Sequence, residues 1–348
     1  MIVIDGSHGE GGGQVLRTAL SLSLVTGQPF RIENIRAKRS RPGLMRQHLT
    51  AVEAACAIGN AECEELEIGT SALTFSPGAV TPGEYRFAVG TAGSTSLVLQ
   101  TILLPLLVAA GPSKLVLDGG THKIHAPPFD FIERTYLPLI NRMGPTVTAR
   151  LDRYGFAPAG GGRIEVEIIP SKALEPLELI ERGERQEVGA KALIAALPGE
   201  IAVRELAAAE KVLGWSLGGE SIRMLPDRAG PGNILLLQAQ FEQVTEVVSG
   251  FGKLGVSAQT VGEQAAKRMA GYIASRAFAG PYLADQLLLP MALAGGGSFT
   301  TVKPSLHART AAGVIEKFLP LSISFVEQEE RRHLVSVRSA GSDQARVG

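Results

Sequence analysis

The feature that most constrains this chain is a pattern used three times: an apolar helix, a glycine stop, a strand. The segments LVTGQPF, VAAGPSK and AGGGSFT align on Gly27, Gly111 and Gly296. Glycine accepts the left-handed backbone that ends a helix, so each segment reads as a helix end followed by a strand. Each strand then runs into a turn that opens a second amphipathic helix. The three turns are RAKRSRPGL, THKIHAPPF and SLHARTAAG. Such self-similarity marks one supersecondary unit repeated along the chain. The first interval is 84 residues and the second 185, an excess of 101. That excess is too long for a loop and suits an inserted domain.

In order, strands are predicted at Ile2–Ile4, Phe30–Ile35, around Cys63–Ile68, Ala72–Phe75, Tyr85–Val89, Lys114–Leu117, Thr146–Leu151 and Ile164–Ile168. Helices are predicted at Val15–Thr26, through Met45, Leu49, Val52 and Cys56, at Leu97–Ala110, and through Phe129, Ile132, Tyr136 and Leu139. The late copy has a helix Ala284–Ala294, a strand Ser298–Val302 and a helix reaching Phe318. The insert reads as a strand near Glu187–Ala196, a helix near Ile201–Leu213, a hairpin or strand pair through Ser221–Leu225 and Ile234–Phe241, and a helix near Gly262–Ile273. Residues 1–180 and 276–340 are thus expected to form one discontinuous domain and 181–275 a small inserted α/β domain, with 341–348 a disordered polar tail.

Charge is balanced, 34 basic against 34 acidic side chains, so no global field draws in nucleic acid and any such site is a local patch. Aromatics are scarce, which argues against a base-stacking surface. Cys56 and Cys63 fit no zinc spacing and read as buried thiols in a reducing compartment. MIVIDGSHGEGGG has no basic segment leading an apolar one, so no signal peptide is expected. The apolar run Leu97–Ala110 is too short to span a bilayer. A cytoplasmic protein without membrane contact is expected.

If the units pack around a pseudo-threefold axis, the three strand-to-helix turns converge. Arg36, Arg39, Arg41, His122, His125, His307 and Arg309 would then approach one anion site. Lys38, Arg41 and His333 are read as solvated turn residues, and Arg36, Arg39 and His307 as functional. GEGGGQ is neither a P-loop nor a dinucleotide fingerprint, yet its glycines permit close approach of a ligand. Glu10 in that turn is either a ligand for a hard divalent ion or a plain helix-start carboxylate. Arg17, among apolar residues, fits a phosphate contact. Asp285 is either a helix cap or a group that orients a base. No Ser-His-Asp order, metal-spaced His/Cys cluster or nucleophilic cysteine stands out. What is left is histidine as a phosphoryl or nucleotidyl acceptor.

Taken together, DGSHGEGGGQVLRTALSLS, IRAKRSRPGLMRQHLTAV, GTAGSTSLVLQT, APPFDFI, GFAPAGGG, GPGN, YLADQLLLPMALAG and SLHARTAAGVIEKFLP resemble the RNA 3′-terminal phosphate cyclases. The likeness is colinear from Ile2 to about Pro320. It implies an α/β (α+β) fold of three βαβ-type repeats, similar to the C-terminal domain of a bacterial translation initiation factor, with a small inserted domain. It implies an ATP-dependent ligase that turns an RNA 3′-phosphate into a 2′,3′-cyclic phosphate through histidyl–AMP and RNA-adenylate intermediates. His307 matches the adenylylated residue and Glu10 the metal contact, for Mg or Mn. Gln100 and the run Tyr282, Leu283, Ala284, Asp285 and Gln286 match the ATP contacts. Arg17, Arg36, Arg39 and Gln47 match residues on the phosphate and RNA-end side. The partners implied are ATP and RNA with a 3′-terminal phosphate; a homo-oligomer is left open.

The chain departs from the family pattern at Ala311, where Asn follows Thr310's counterpart, at Lys38, where glycine is usual, and at Ala157, where an aromatic is common. Two other functions compete. One is a catalytically silent relative that binds RNA or ribosome precursors. The other is a nucleotidyl transferase acting on other phosphate ends, 5′-phosphates included.

Overall fold

A computed structural model describes residues 1–217 and 221–339. The expected tail at 341–348 lies outside the described residues. The first unit runs β1 (Ile2–Asp5), α1 (Gly13–Thr26), β2 (Phe30–Glu33), α2 (Arg46–Gly59), β3 (Glu62–Cys63) and β4 (Leu73–Ser76). The second runs β5 (Glu84–Ala88), α3 (Thr95–Leu107), β6 (Ser113–Gly119), then α4 (Phe129–Phe131), a π-helical turn and α5 (Leu137–Asn141), then β7 (Thr146–Arg153) and β8 (Gly162–Ile169). Next come β9 (Leu177–Leu179), β10 (Arg185–Ala195), α6 (Glu200–Leu213), β11 (Ile222–Leu225), β12 (Gly232–Phe241), β13 (Thr245–Phe251) and α7 (Ala258–Ser275). The chain finishes with α8 (Pro281–Leu293), β14 (Gly296–Thr301), α9 (Leu306–Phe318), β15 (Leu321–Glu329) and β16 (Arg332–Ser339). The fold is mixed α/β, as expected.

Three sheets share one connectivity. In each, a parallel pair is followed by two antiparallel pairings, in the orders β1-β2-β4-β3, β5-β6-β8-β7 and β9-β14-β16-β15. A parallel pair needs a crossover, and a helix supplies it: α1 in the first unit and α3 in the second. In the third, β10 to α7 intervene between β9 and α8. Helix α1 packs against α2, α3 and α9, and α8 packs against α9. The helices therefore meet one another, while strands such as β5 and β15 alternate between half-buried and exposed positions. Buried apolar residues from every unit join one continuous core.

Several expectations fail locally. Ser221–Leu225 and Ile234–Phe241 are not a hairpin: β10 lies between β11 and β12, parallel to the first. Leu66 to Ile68 is not strand. Strands β9, β13, β15 and β16 were not anticipated. His333 is buried within β16 opposite Thr301, not solvated in a turn. Cys63 is exposed and Cys56 half-buried, their sulfurs 3.1 Å apart, so the two are not both buried thiols. No helix among the described residues is long and apolar enough to cross a membrane.

Candidate active site

His307 is the second residue of α9. Ser305 caps that helix, its hydroxyl accepting from the Ala308 N–H at 3.0 Å. The cap fixes where the helix starts and so where the imidazole leaves it. The ring is half exposed. Its Nδ1 lies 2.7 Å from Gln14 Oε1, on the first turn of α1. An amide oxygen only accepts, so Nδ1 carries the proton and Nε2 keeps its lone pair. That Nε2 stands 3.8 Å from Glu10 Oε1.

The GEGGGQ turn is stitched to α9 by one threonine. Thr310 Oγ1 accepts the Glu10 N–H at 3.0 Å and donates to the Leu306 carbonyl at 2.7 Å. Gly9 has φ +59°, and a Cβ there would stand 2.2 Å from Thr310 Oγ1. Only glycine fits both the conformation and the gap. Ala311, where the family pattern has Asn, faces the core and is buried. Arg39 pairs with the Glu10 carboxylate and also reaches the Glu10 carbonyl at 3.4 Å.

Arg17 is the electrostatic hub. Burial lowers its guanidinium to about 10, opposed by Asp285, and burial pushes Asp285 up to about 7, opposed by its bond with Gln286 and by Arg17. His48 is buried, its Nδ1 accepting the Met45 N–H at 3.0 Å. Burial first, then Arg17, Arg36 and Lys123, hold His48 down at about 3. A Cβ on Gly13 would lie 2.3 Å from His48 Nε2 and 2.9 Å from Arg17 Nη1, so these two side chains converge on one glycine. His307 is likewise lowered, by burial and then by Arg39, Arg17 and His125. The neutral imidazole, the form with a lone pair to offer, is therefore favoured.

Gln100 on α3 and Gln286 on α8 join their amides across the site. Tyr282 is exposed, while Leu283 and Ala284 are wholly buried core residues, and the Ala284 N–H is already bonded to the Gly280 carbonyl at 3.0 Å, so neither meets a ligand directly as the resemblance implied. Asp285 sits a turn inside α8, whose N-cap is Gly280, so it is not the cap. Gln47 Oε1 accepts from Lys123 Nζ at 3.3 Å and from the Ser94 N–H at 3.4 Å.

Not every cation in the turns converges. Arg36 has φ +55° and donates to the Arg41 and Gly43 carbonyls, both at 2.7 Å, which holds its own loop. His122 is buried, bonded through Nε2 to Asp130 at 2.9 Å, with Lys191 completing the group at 3.1 Å. Arg309 lies over the Phe325 ring, 5.0 Å from its centroid. Gln14, His48 and Lys123 were missed by the sequence reading. Gln14 closes the glycine-rich turn already singled out, and that position was its only signal.

The family model described as RNA 3′-terminal phosphate cyclase matches residues 8–325. Three relatives bear the same name. That of Koribacter versatilis is 57% identical over 94% of this chain and 93% of its own length. That of Ectopseudomonas mendocina is 50% identical over 97% and 98%. That of Ralstonia nicotianae is 50% identical over 97% and 96%. With its imidazole, carboxylate and half-buried arginine gathered where α1 and α9 meet, the chain belongs to the RNA 3′-terminal phosphate cyclase family.

Proposed function

We propose that this chain is an ATP-dependent enzyme that converts an RNA 3′-terminal phosphate to a 2′,3′-cyclic phosphate. His307 Nε2 attacks the α-phosphorus of ATP and pyrophosphate leaves. The AMP then passes to an oxygen of the RNA 3′-phosphate, which frees the imidazole. The neighbouring 2′-hydroxyl attacks the activated phosphorus, closing the ring as AMP departs. The observation that carries this reading is the free Nε2 lone pair. Gln14 fixes the tautomer, and burial, then Arg39 and Arg17, disfavour the imidazolium.

The same cations suit the charge that develops on phosphorus. Arg17 and Arg39 take the phosphate side. Gln100, Gln286, Asp285 and Tyr282 take the nucleoside side. Arg36 acts by shaping its loop, and Gln47 by holding Lys123. Glu10 fits a divalent ion. No set of three His, Cys, Asp or Glu side chains among the described residues forms a cage, and a lone carboxylate suits Mg or Mn, which keep waters and take phosphate oxygens. Bound beside Glu10, the ion would neutralise phosphate charge. The repeats would occupy residues 1–180 and 276–340 and the insert 181–275, a division supported by the shared sheet connectivity.

The test is an RNA carrying a 3′-phosphate, incubated with ATP and Mg and then treated with phosphatase. The account expects the end to become resistant. Unchanged sensitivity points instead to a silent RNA-binding relative or to another phosphate acceptor.

A further inference from the structure

Glu246 lies on β13 and is fully buried. Its Oε2 accepts the N–H of Gly280 at 3.2 Å, and its Oε1 has no hydrogen-bond partner. Gly280 is the N-cap of α8 and supplies no side-chain cap of its own. A Cβ at Gly280 would stand 2.2 Å from Glu246 Oε1, so the backbone approaches the carboxyl as closely as glycine permits. Two residues beyond Gly280 the run Tyr282 to Gln286 begins.

Other contacts bind the same junction. Buried Arg182 lies between the rings of Phe241 and Tyr272, 4.2 and 4.8 Å from their centroids. It donates to the carbonyls of Ile273 at 2.7 Å, Tyr272 at 3.1 Å and Ala277 at 3.3 Å. The Tyr272 hydroxyl donates to the Phe278 carbonyl at 2.9 Å. The segment that leads from α7 into α8 is thus held against β12, β13 and α7. A buried acceptor at a helix start satisfies an N–H that the helix leaves orphaned.

We infer that Glu246 is a positioning residue for the nucleotide site, capping α8 from the β10–β13 sheet and so setting where Tyr282, Asp285 and Gln286 stand. The inference rests on the reading of that run as the ATP side of the site. Burial pushes the carboxyl up to about 8, with the Gly280 N–H and Arg182 opposing, and burial first and Glu246 second raise Tyr272. At pH 7 it is mainly neutral, which suits a wholly buried acceptor.

The experiment compares wild type, Glu246→Gln and Glu246→Leu. Glutamine keeps an acceptor oxygen; leucine keeps the volume and removes it. In Glu246→Leu the ATP concentration for half-maximal self-adenylylation should rise about three- to tenfold, the effect of a lost cap, with the maximal rate held. Glu246→Gln should match wild type at pH 7. Above pH 8 wild type should need more ATP as the buried carboxyl ionises, and Glu246→Gln should not. Hydrogen exchange without nucleotide should be faster at the Gly280 amide in Glu246→Leu only. Wild-type ATP dependence in the leucine variant, or the same pH profile in the glutamine variant and wild type, overturns the inference. If wild type takes no label from ATP, the enzymatic reading fails instead, and exchange at Gly280 still decides whether the cap exists.

Discussion

Gln14 Oε1 and His307 Nδ1 stand 2.7 Å apart, although 293 residues separate them in the chain. This one bond decides which imidazole nitrogen is free. It also ties the first turn of α1 to the first turn of α9, the packing that brings the first and last units together.

Removing the acceptor should let the imidazole take the other tautomer. Gln14→Leu is expected to slow self-adenylylation about tenfold or more, the usual cost of losing an orienting partner. Gln14→Glu, which still accepts, should lose much less. Rates from ATP labelled at the α-phosphorus check this; equal rates in all three proteins would contradict it.

Glu10 should act through the metal. Glu10→Gln keeps the shape and removes the charge, so the Mg concentration for half-maximal labelling should rise by about tenfold, a carboxylate being the ligand a hard ion prefers. A Mg titration that overlays wild type would make Glu10 only a partner for Arg39.

Gly9→Ala places a Cβ at φ +59° against Thr310. The strained conformation alone should cost on the order of 1–3 kcal/mol, read as a lower urea midpoint. Labelling should fall too, because the Glu10 N–H bond to Thr310 is the one displaced. A stable protein with wild-type labelling would show that the turn has slack.

Little of this geometry was visible in the sequence, although the scaffold was. Gly27 marked a helix stop because glycine in the left-handed region is a local signal, whereas Gly111 and Gly296 are not left-handed and follow helices already capped at Val108 and Ala294. Gly27 does end α1 at φ +68°. Arg39 and His307 stood out as candidates because polar turns between apolar stripes are a local signal. Gln14 and His48 did not stand out: their roles come from contacts with residues far away in the chain. Strand β15 alternates Leu321, Ile323 and Phe325 with polar residues, a period-two pattern that an alignment built on helices passed over. His122 looked like a site residue by position, but its turn buries it against Asp130.

Glu205 on α6 offers a test of stability apart from catalysis. It is buried, accepts from Asn233 Nδ2 at 2.5 Å, and is raised from 4.5 to about 7 by burial, with the Asn233 bond opposing. A carboxyl whose folded value lies above its unfolded one stabilises the fold fully at acid pH, and the contribution is lost as pH rises from about 4.5 to 7. Glu205→Gln should flatten that slope and exceed wild-type stability above pH 7, by on the order of 3 kcal/mol at most. Chemical denaturation at pH 5 and pH 8 measures it; a constant difference between the two proteins would contradict the assignment.

The central claim is that His307 takes up AMP. The direct measurement is incubation with ATP labelled at the α-phosphorus and Mg, without RNA, in wild type and His307→Ala. The account predicts label on the wild-type protein, stable to alkali and released by acid as a phosphoramidate should be, and none on His307→Ala. Unlabelled wild type, or equal label on both proteins, would contradict it.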